Sequence, residues 1–346
     1  MSTVFLSEEG HGIRRKSPSG PAPAHPLYVK GMAAFKSSGI SLADRNIIDK
    51  RDLLNNPPPL KSMPEIAPII TKEIPTSAEN GTGKVTLTLL RPKGSENEIL
   101  PVAVYLHGGG WIVGSLKVSE KFVKDLVVKA RIVVVYVEYS LSPEVKYPVA
   151  LEETYSSILW VYENAASINV DPSKLTVFGD SAGGNLSAAV SILLKQRGQG
   201  NVVKNQILIY PSVAFDRECY DSFYDYGSGD NILTIEALIN MSCLYHEHKY
   251  QTKRGNYIIY GPEHVLSSPL LGSDDDLKGL PRCLVVLAEC DVLRDEGEHY
   301  ARRLTEVGVD ACAVRVIGAV HGFITSPTDT PQYRSSVSII AGFLNG

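Results

Sequence analysis

The feature that most constrains this chain is a glycine-rich turn around Ser181. The apolar run Leu175–Val177 is typical of a short buried strand, and the pattern Gly179-x-Ser181-x-Gly183 follows it and opens a helix-like segment. Such a turn exposes the serine hydroxyl on a sharp bend, and its glycines allow strand and helix to pack closely. The N–H groups at the start of the helix then point toward a developing negative charge. The pattern predicts a nucleophilic serine, with an ordinary tight turn as the alternative.

Short apolar runs alternate with amphipathic stretches along most of the chain. Runs that are apolar throughout are typical of strands buried on both faces of a parallel sheet. Between them lie stretches with apolar residues at helical spacing. The alternation predicts an α/β fold with a mostly parallel, doubly wound sheet flanked by helices. The predicted strands are 84–90, which alternates with threonines, and the continuous runs 101–106, 132–139, 175–178, 206–210, 283–288 and 313–317.

Two segments interrupt this alternation. Residues 27–54 carry apolar side chains at helical spacing, and the prolines at 57–59 end that pattern. The segment 215–261 is rich in tyrosine and contains one helix with Thr234 at its N-cap. Insertions of this length are commonly lids or binding loops, and a satellite hydrophobic cluster is the alternative. We expect tyrosines of this insertion on the wall of a compact pocket.

Charge and hydropathy argue against several classes of protein. The formal net charge of −4 and a pI near 6.1 give no reason to expect nucleic acid or an anionic membrane as a partner. The sequence shows neither a signal-peptide pattern nor a run of about 18 apolar residues, so we expect a cytoplasmic protein without integral membrane association. Five cysteines lack CxxC spacing. At least three lie in apolar or strand-like context, which predicts buried, reduced thiols.

Candidate catalytic residues follow three of the other predicted strands. His107-Gly108-Gly109-Gly110-Trp111 comes directly after 101–106, and consecutive glycines can present backbone N–H groups to an oxyanion. A carboxylate at Asp291 follows 283–288, and His321 follows 313–317 with glycines on both sides. The chemistry needs the histidine as general base toward Ser181 and the carboxylate to hold its tautomer. The residues therefore predict a complete acyl-transfer site.

The same residues belong to a larger set of motifs, which follow one another along the chain from about residue 85 onward. These are 107–111, 139–144 with Tyr147-Pro148, 179–186, 268–270, 291–297 and 321–323. In type and order they resemble the hormone-sensitive-lipase-like group of α/β-hydrolase carboxylesterases. One departure is Ser140, which stands where many relatives carry an arginine.

The resemblance implies an α/β-hydrolase fold with a mainly helical cap. The catalytic core would span 61–214 and 263–346, and the cap 1–60 and 215–262. The implied nucleophile is Ser181, the acid Asp291 and the base His321. The implied oxyanion hole is the Gly108–Gly110 loop with Ala182. Its N–H donors would come from Gly109, Gly110 and Ala182, while Gly108 and His107 shape the loop and Asp180 supports the serine motif.

The sequence thus favours a serine carboxylesterase that hydrolyses short- to medium-chain carboxylic esters through an acyl-enzyme intermediate. An amidase or deacetylase, or a thioester hydrolase or acyltransferase of a biosynthetic pathway, would use the same triad. A non-catalytic receptor for a small ligand is the remote alternative, since fold does not fix function. We expect a small-molecule ester as the substrate and neither cofactor nor metal. The alternative to a buried strand at 313–317 is an exposed edge strand near the C-terminus, which would allow two subunits to pair as a homodimer.

Overall fold

A single sheet of eight strands forms the centre of the computed structural model. The structure describes residues 21–44, 46–58, 60, 62–76, 81–214, 216–229, 231–246, 264–326 and 328–346. The strands are β1 (Ile70–Pro75), β2 (Lys84–Leu90), β3 (Leu100–Leu106), β4 (Val133–Glu138), β5 (Val170–Asp180), β6 (Asn205–Ile209), β7 (Arg282–Cys290) and β8 (Ala311–Val320). Their order across the sheet is β1-β2-β4-β3-β5-β6-β7-β8. β2 is antiparallel to β1 and β4, and the other pairs are parallel, which confirms the predicted sheet.

Helices cover both faces of the sheet, as predicted. They are α1 (Pro26–Ser37), α2 (Arg51–Asn55), α3 (Leu116–Ala130), α4 (Val149–Glu163), α5 (Ala182–Gln196), α6 (Asp221–Tyr226), α7 (Ile235–Tyr245), α8 (Asp274–Leu277), α9 (Arg294–Glu306) and α10 (Pro331–Asn345). Short 3₁₀ turns span Ile47–Lys50, Ala165–Ile168 and Pro269–Leu271. Side chains of β7 alternate between two hydrophobic clusters, because successive residues of a strand point to opposite faces. Val286 packs in the cluster that contains α3 and α10, and Val285 in the cluster that contains α9.

Three strands differ from the sequence prediction. β1 was not predicted, because only Ile74 among its side chains is buried and the strand lies at the sheet edge. β5 begins at Val170, five residues before the predicted start at 175, and its pairing with β3 shifts between Pro101 and Ala103. Such a shift is typical of a bulge.

The apolar run of β8 predicts burial on both faces, which is wrong, because this strand forms the other edge of the sheet, the alternative raised for 313–317. The Ile317 side chain is 65% exposed. Cys312, also on β8, is exposed, as are Cys219 and Cys243, whereas Cys283 and Cys290 are buried. The expectation of at least three buried thiols therefore fails at the edge strand. Position in the sheet, which an apolar run does not reveal, decides the burial of this strand.

Helices α1, α2, α6 and α7 belong to the two segments that interrupt the strand–helix alternation. The predicted N-cap of α7 is present, since Thr234 Oγ accepts a hydrogen bond from the Ala237 N–H at 3.2 Å. The insertion that holds α6 and α7 is attached to the core near its start by a buried ion pair, Arg217 Nε to Glu296 Oε2 at 2.5 Å. Among the described helices, none is both long and apolar enough to cross a membrane.

Candidate active site

Ser181 lies at a strained bend between β5 and α5. Its φ is +55°, in a region that residues with a side chain rarely adopt. The Ser181 N–H donates to the Ile209 carbonyl on β6 at 2.9 Å, which fixes the bend against the neighbouring strand. A Cβ at Gly183 would overlap the Leu106 carbonyl oxygen of β3. The glycine spacing of the motif therefore reflects close packing of α5 on the sheet.

Three predicted residues from three strand ends come together at this bend. His321 Nε2 lies 2.9 Å from Ser181 Oγ, and His321 Nδ1 lies 2.8 Å from Asp291 Oδ2. The Asp291 side chain is buried, and its other oxygen accepts a hydrogen bond from the Leu293 N–H at 2.9 Å. With a proton on Nδ1, the ring donates to Asp291 and its Nε2 can accept the serine proton. This is the arrangement of a nucleophile, a base and an orienting carboxylate.

Asp180 connects the serine bend to the glycine loop. One of its carboxylate oxygens accepts hydrogen bonds from the Tyr105 hydroxyl at 2.6 Å and from the Gly108 N–H at 2.9 Å. Burial raises the pKa of the Asp180 carboxyl, and these two hydrogen bonds oppose that rise. Because the Gly108 N–H is already engaged, we assign Gly108 to shaping the loop and not to donating to an oxyanion.

His107 supports the same loop from below and does so as a neutral ring. Its imidazole stacks on Tyr139 with ring centroids 4.1 Å apart, and the Tyr139 hydroxyl donates to the His107 carbonyl at 2.6 Å. Burial lowers the pKa of His107 to about 4. The ring therefore remains uncharged at neutral pH and serves as a packing element beneath the glycines.

Gly109, Gly110 and Ala182 are the remaining predicted oxyanion donors. Both glycines have positive φ, +113° and +61°, which a side chain would disfavour. Both line the cavity that contains Ser181, and Ala182 opens α5 directly after the nucleophile. Within the described residues, no acceptor engages the N–H groups of these three residues. They are therefore available to a negatively charged substrate oxygen.

The cavity above Ser181 has a volume of about 540 Å³ and a mostly apolar wall. The catalytic side contributes Ser181, His321 and the glycine loop, and the opposite side comes from α1, α2 and the 215–261 insertion. Among the described residues, no group of three His, Cys, Asp or Glu side chains is arranged to hold a metal ion. The residues that form the apolar wall are Tyr28, Met32, Ala34, Phe35, Leu42, Leu54, Val113, Val118, Ile232, Leu233, Met241, Val320 and Phe323.

The prediction that tyrosines of the insertion line this cavity is wrong for the described part of the segment. There the insertion contributes aliphatic side chains and a methionine. Its tyrosines instead attach it to the rest of the chain: Tyr226 OH accepts a hydrogen bond from the Ala22 N–H at 2.8 Å, and Tyr245 stacks on Trp111 with centroids 4.3 Å apart. Tyr250, Tyr257 and Tyr260 lie outside the described residues.

A family model described as alpha/beta hydrolase fold matches residues 103–325, which include every strand-end residue named above. The chain belongs to the α/β-hydrolase fold family. The hydrolase is 37% identical to a protein of Acanthamoeba polyphaga mimivirus over 69% of this chain and 65% of that protein's length. It is 36% identical to an arylesterase of Saccharolobus solfataricus over 70% of this chain and 73% of the relative.

Among solved structures, the hydrolase is similar to a fungal esterase of Rhizomucor miehei. The two share 44% identity with a TM-score of 0.81, and the match covers 94% of this chain and 98% of the fungal one. At this identity the likeness extends beyond the fold. Together with the family match, these relatives support ester hydrolysis by this enzyme.

Sequence reasoning missed residues outside the motifs that contact the site. Arg51 and Asn55 on α2 form hydrogen bonds with Ile112 and Gly114, just after the glycine loop, although no pattern marks them. At Ser140, where the resemblance leads one to expect arginine, the N–H and the hydroxyl both donate to the Glu153 carboxylate, at 2.7 and 2.9 Å. Only the departure at Ser140 signalled an altered contact, and it did not identify the partner.

Proposed function

We propose that this hydrolase cleaves carboxylic esters with short- to medium-chain acyl groups through an acyl-enzyme intermediate on Ser181. The observation that carries the proposal is the 2.9 Å contact between Ser181 Oγ and His321 Nε2, with Asp291 behind the ring. This pair opens into an apolar cavity of about 540 Å³, a size that favours a compact ester over a long lipid chain.

In the proposed mechanism, Ser181 Oγ attacks the ester carbonyl carbon as His321 Nε2 takes the hydroxyl proton. The carbonyl oxygen becomes an oxyanion, which accepts hydrogen bonds from the N–H groups of Gly109, Gly110 and Ala182. The protonated His321 then gives its proton to the leaving alcohol. Water, deprotonated by the same ring, attacks the acyl-enzyme and releases the acid.

The triad is also compatible with an amidase or deacetylase and with a thioester hydrolase or acyltransferase. The esterase names of the relatives favour ester cleavage. Rates on matched ester, amide and thioester substrates would separate these activities, and a preference for the amide would overturn the first choice. A non-catalytic receptor is disfavoured because serine, histidine and carboxylate are all present and in hydrogen-bond contact.

The decisive experiment is hydrolysis of p-nitrophenyl acetate and butyrate by Ser181→Ala. We expect activity to fall by about 10⁶-fold, as for loss of a serine nucleophile elsewhere. Ser187→Ala is a matched control. Ser187 lies in α5, the helix that follows Ser181, and its buried hydroxyl donates to the Gly183 carbonyl one turn earlier. Undiminished turnover by Ser181→Ala would refute the proposal. Activity should persist in EDTA, since no step uses a metal.

Three further parts of the proposal concern organisation and location. We propose that residues 1–60 and 215–262 form the cap over a catalytic core of 61–214 and 263–346. We also propose a homodimer that pairs the exposed β8 edges, where Ile317 offers an apolar contact. Light scattering on the wild type and on Ile317→Lys would test this pairing. Cytoplasmic localisation stays a prediction.

A further inference from the structure

We infer that Arg51 and Asn55 on α2 are positioning residues that hold the oxyanion loop (residues 107–115) in its donor geometry. The inference rests on the proposed function, because it concerns the same oxyanion donors. Helix α2 of the cap then influences the catalytic rate as well as lining the cavity. Neither residue belongs to a sequence motif.

Arg51 attaches α2 to the loop through its planar guanidinium. Its Nε donates to the Ile112 carbonyl at 2.7 Å, and one of its terminal nitrogens donates to the Ser142 carbonyl at 2.6 Å. An ion pair with Glu144 at 2.6 Å orients the same group. The Arg51 side chain is only 17% exposed, so water competes weakly for these bonds. Because the donors of the guanidinium are fixed in one plane, Arg51 can hold two backbone segments at a set distance from each other.

Asn55, one turn later on α2, holds the end of the loop. Its Oδ1 accepts a hydrogen bond from the Gly114 N–H at 2.7 Å, and its backbone carbonyl accepts one from Ser115 Oγ at 2.6 Å. Gly114 has a φ of +124°, which favours glycine at this position. Because glycine has no side chain, the backbone here depends on such hydrogen bonds to hold its conformation. Two residues of one helix therefore fix the loop from Ile112 to Ser115.

Two of the proposed donors, Gly109 and Gly110, lie between this outer attachment and an inner one. The core holds the inner end, where the Gly108 N–H donates to Asp180. The Gly109 carbonyl accepts hydrogen bonds from the N–H groups of Ile112 and Val113, at 3.2 and 3.1 Å. A shift of Ile112 is therefore transmitted through this turn to Gly109. Misplacing a catalytic donor by about 1 Å can cost on the order of 10²-fold in rate.

Loss of the outer attachment should lower kcat and leave KM nearly unchanged. The N–H donors act most strongly when negative charge develops on the substrate oxygen, which happens in the transition state. The apolar wall that binds the ground state is formed mainly by other residues, such as Met32 and Met241. A purely structural role for Arg51 would instead lower the melting temperature without this selective loss of kcat.

The test compares Arg51→Gln, Arg51→Lys and Asn55→Ala on p-nitrophenyl acetate and butyrate. We expect Arg51→Gln to reduce kcat about 10- to 100-fold, with KM within about twofold of the wild type. Arg51→Lys should recover part of that loss, because an ammonium can still donate to one carbonyl but lacks the fork. Asn55→Ala should reduce kcat in the same sense.

Lys50→Gln is the matched control. Lys50 adjoins α2, and its ammonium donates to the Gly39 carbonyl and to Asp44, both in the cap. This variant loosens the same region without touching the oxyanion loop, so its kcat should remain at the wild-type value. An equal fall in kcat for Lys50→Gln would overturn the inference, because general loosening of the cap would then suffice.

A transition-state analogue separates donor geometry from substrate binding. Addition of Ser181 to 1,1,1-trifluoro-4-phenylbutan-2-one creates an oxyanion, whereas the corresponding alcohol cannot form one. In Arg51→Gln the inhibition constant of the ketone should rise in parallel with the loss of kcat/KM, and that of the alcohol should stay within about twofold. A change in KM alone, or an unchanged kcat, would overturn the inference. If Ser181→Ala retains activity, the proposed function itself fails, so the two failures are distinguishable.

Discussion

The strand-end side of the active-site cavity and its cap side are built from different kinds of contact. On the strand-end side, Ser181, Asp291 and His321 each follow directly on a strand and meet through polar contacts of 2.8–2.9 Å. On the cap side, α1 and α7 contribute apolar side chains such as Met32 and Met241. The first side requires particular atoms at particular distances, whereas the apolar wall of the second requires only shape and hydrophobicity. Outside the bonds from Arg51 and Asn55 to the oxyanion loop, chemistry and selectivity are thus assigned to different sides of one cavity.

If this division holds, a change on the strand-end side should slow all esters equally. Asp291→Asn is the sharpest such change. An asparagine Nδ2 facing His321 Nδ1 would favour the tautomer that carries its proton on Nε2, which cannot accept the serine proton. We expect kcat to fall by about 10⁴-fold, with the ratio of acetate to butyrate rates unchanged.

Kinetics and a melting curve of Asp291→Asn check this prediction. The side chain can still accept the Leu293 N–H through Oδ1, so the melting temperature should stay near the wild-type value. A loss in kcat below about tenfold would mean that Asp291 does not control the tautomer. A large change in the acetate-to-butyrate ratio would contradict the division between the two sides.

The same division explains what the sequence could predict. A serine between glycines, a carboxylate after β7 and a histidine after β8 are recognisable because chemistry restricts the residue types and parallel strands bring their ends to one edge. The cap wall has no such restriction, so the identity of its apolar side chains could not be predicted. For example, Tyr245 of the insertion stacks on Trp111, and neither ring lines the cavity.

Two other features depend on contacts between distant parts of the chain. The exposure of β8 follows from its place at the edge of the sheet, and an apolar run does not encode that place. Arg51 reaches Ile112 across 61 positions of sequence, and no local pattern connects the two residues. Sequence reasoning therefore missed the Arg51 contact and left the burial of β8 undecided.

A second prediction concerns His107, which supports the strand-end side by stacking on Tyr139 and by a hydrogen bond between its Nδ1 and the Gly108 carbonyl oxygen at 2.7 Å. Its pKa is lowered from 6.5 to about 4, so the folded state binds its proton less tightly than the unfolded state. The contribution of His107 to stability is therefore fully present above pH about 6.5 and is lost as the pH falls toward 4. The difference amounts to about 3 kcal/mol at its limit.

Denaturant unfolding between pH 7 and pH 4 measures this contribution. His107→Phe keeps a ring beside Tyr139 and removes the titration, so its stability should depend less on pH by up to about 3 kcal/mol over this range. Comparing each variant with its own value at pH 7 cancels any constant loss from the altered packing. Identical pH dependence in the two proteins would show that His107 is protonated without cost, contrary to its burial.

The smallest expected effect lies on the cap side, at Leu54. This α2 side chain lines the catalytic cavity and also a neighbouring cavity of about 530 Å³, so it belongs to the partition between them. Leu54→Ala should open the partition and admit a longer acyl chain. We expect the ratio of kcat/KM for p-nitrophenyl octanoate over acetate to rise about tenfold, which is typical of adding room for a few methylenes.

Leu53→Ala is the matched control for Leu54, because the neighbouring leucine is on the same helix but 64% exposed. It should leave the chain-length profile unchanged. The kcat for acetate should also change little in Leu54→Ala, since the bonds from Arg51 and Asn55 to the oxyanion loop remain. If Leu54→Ala instead lowered kcat for every ester alike, α2 would act on the chemistry through its apolar face as well. Selectivity and rate could then not be assigned to separate residues of this helix.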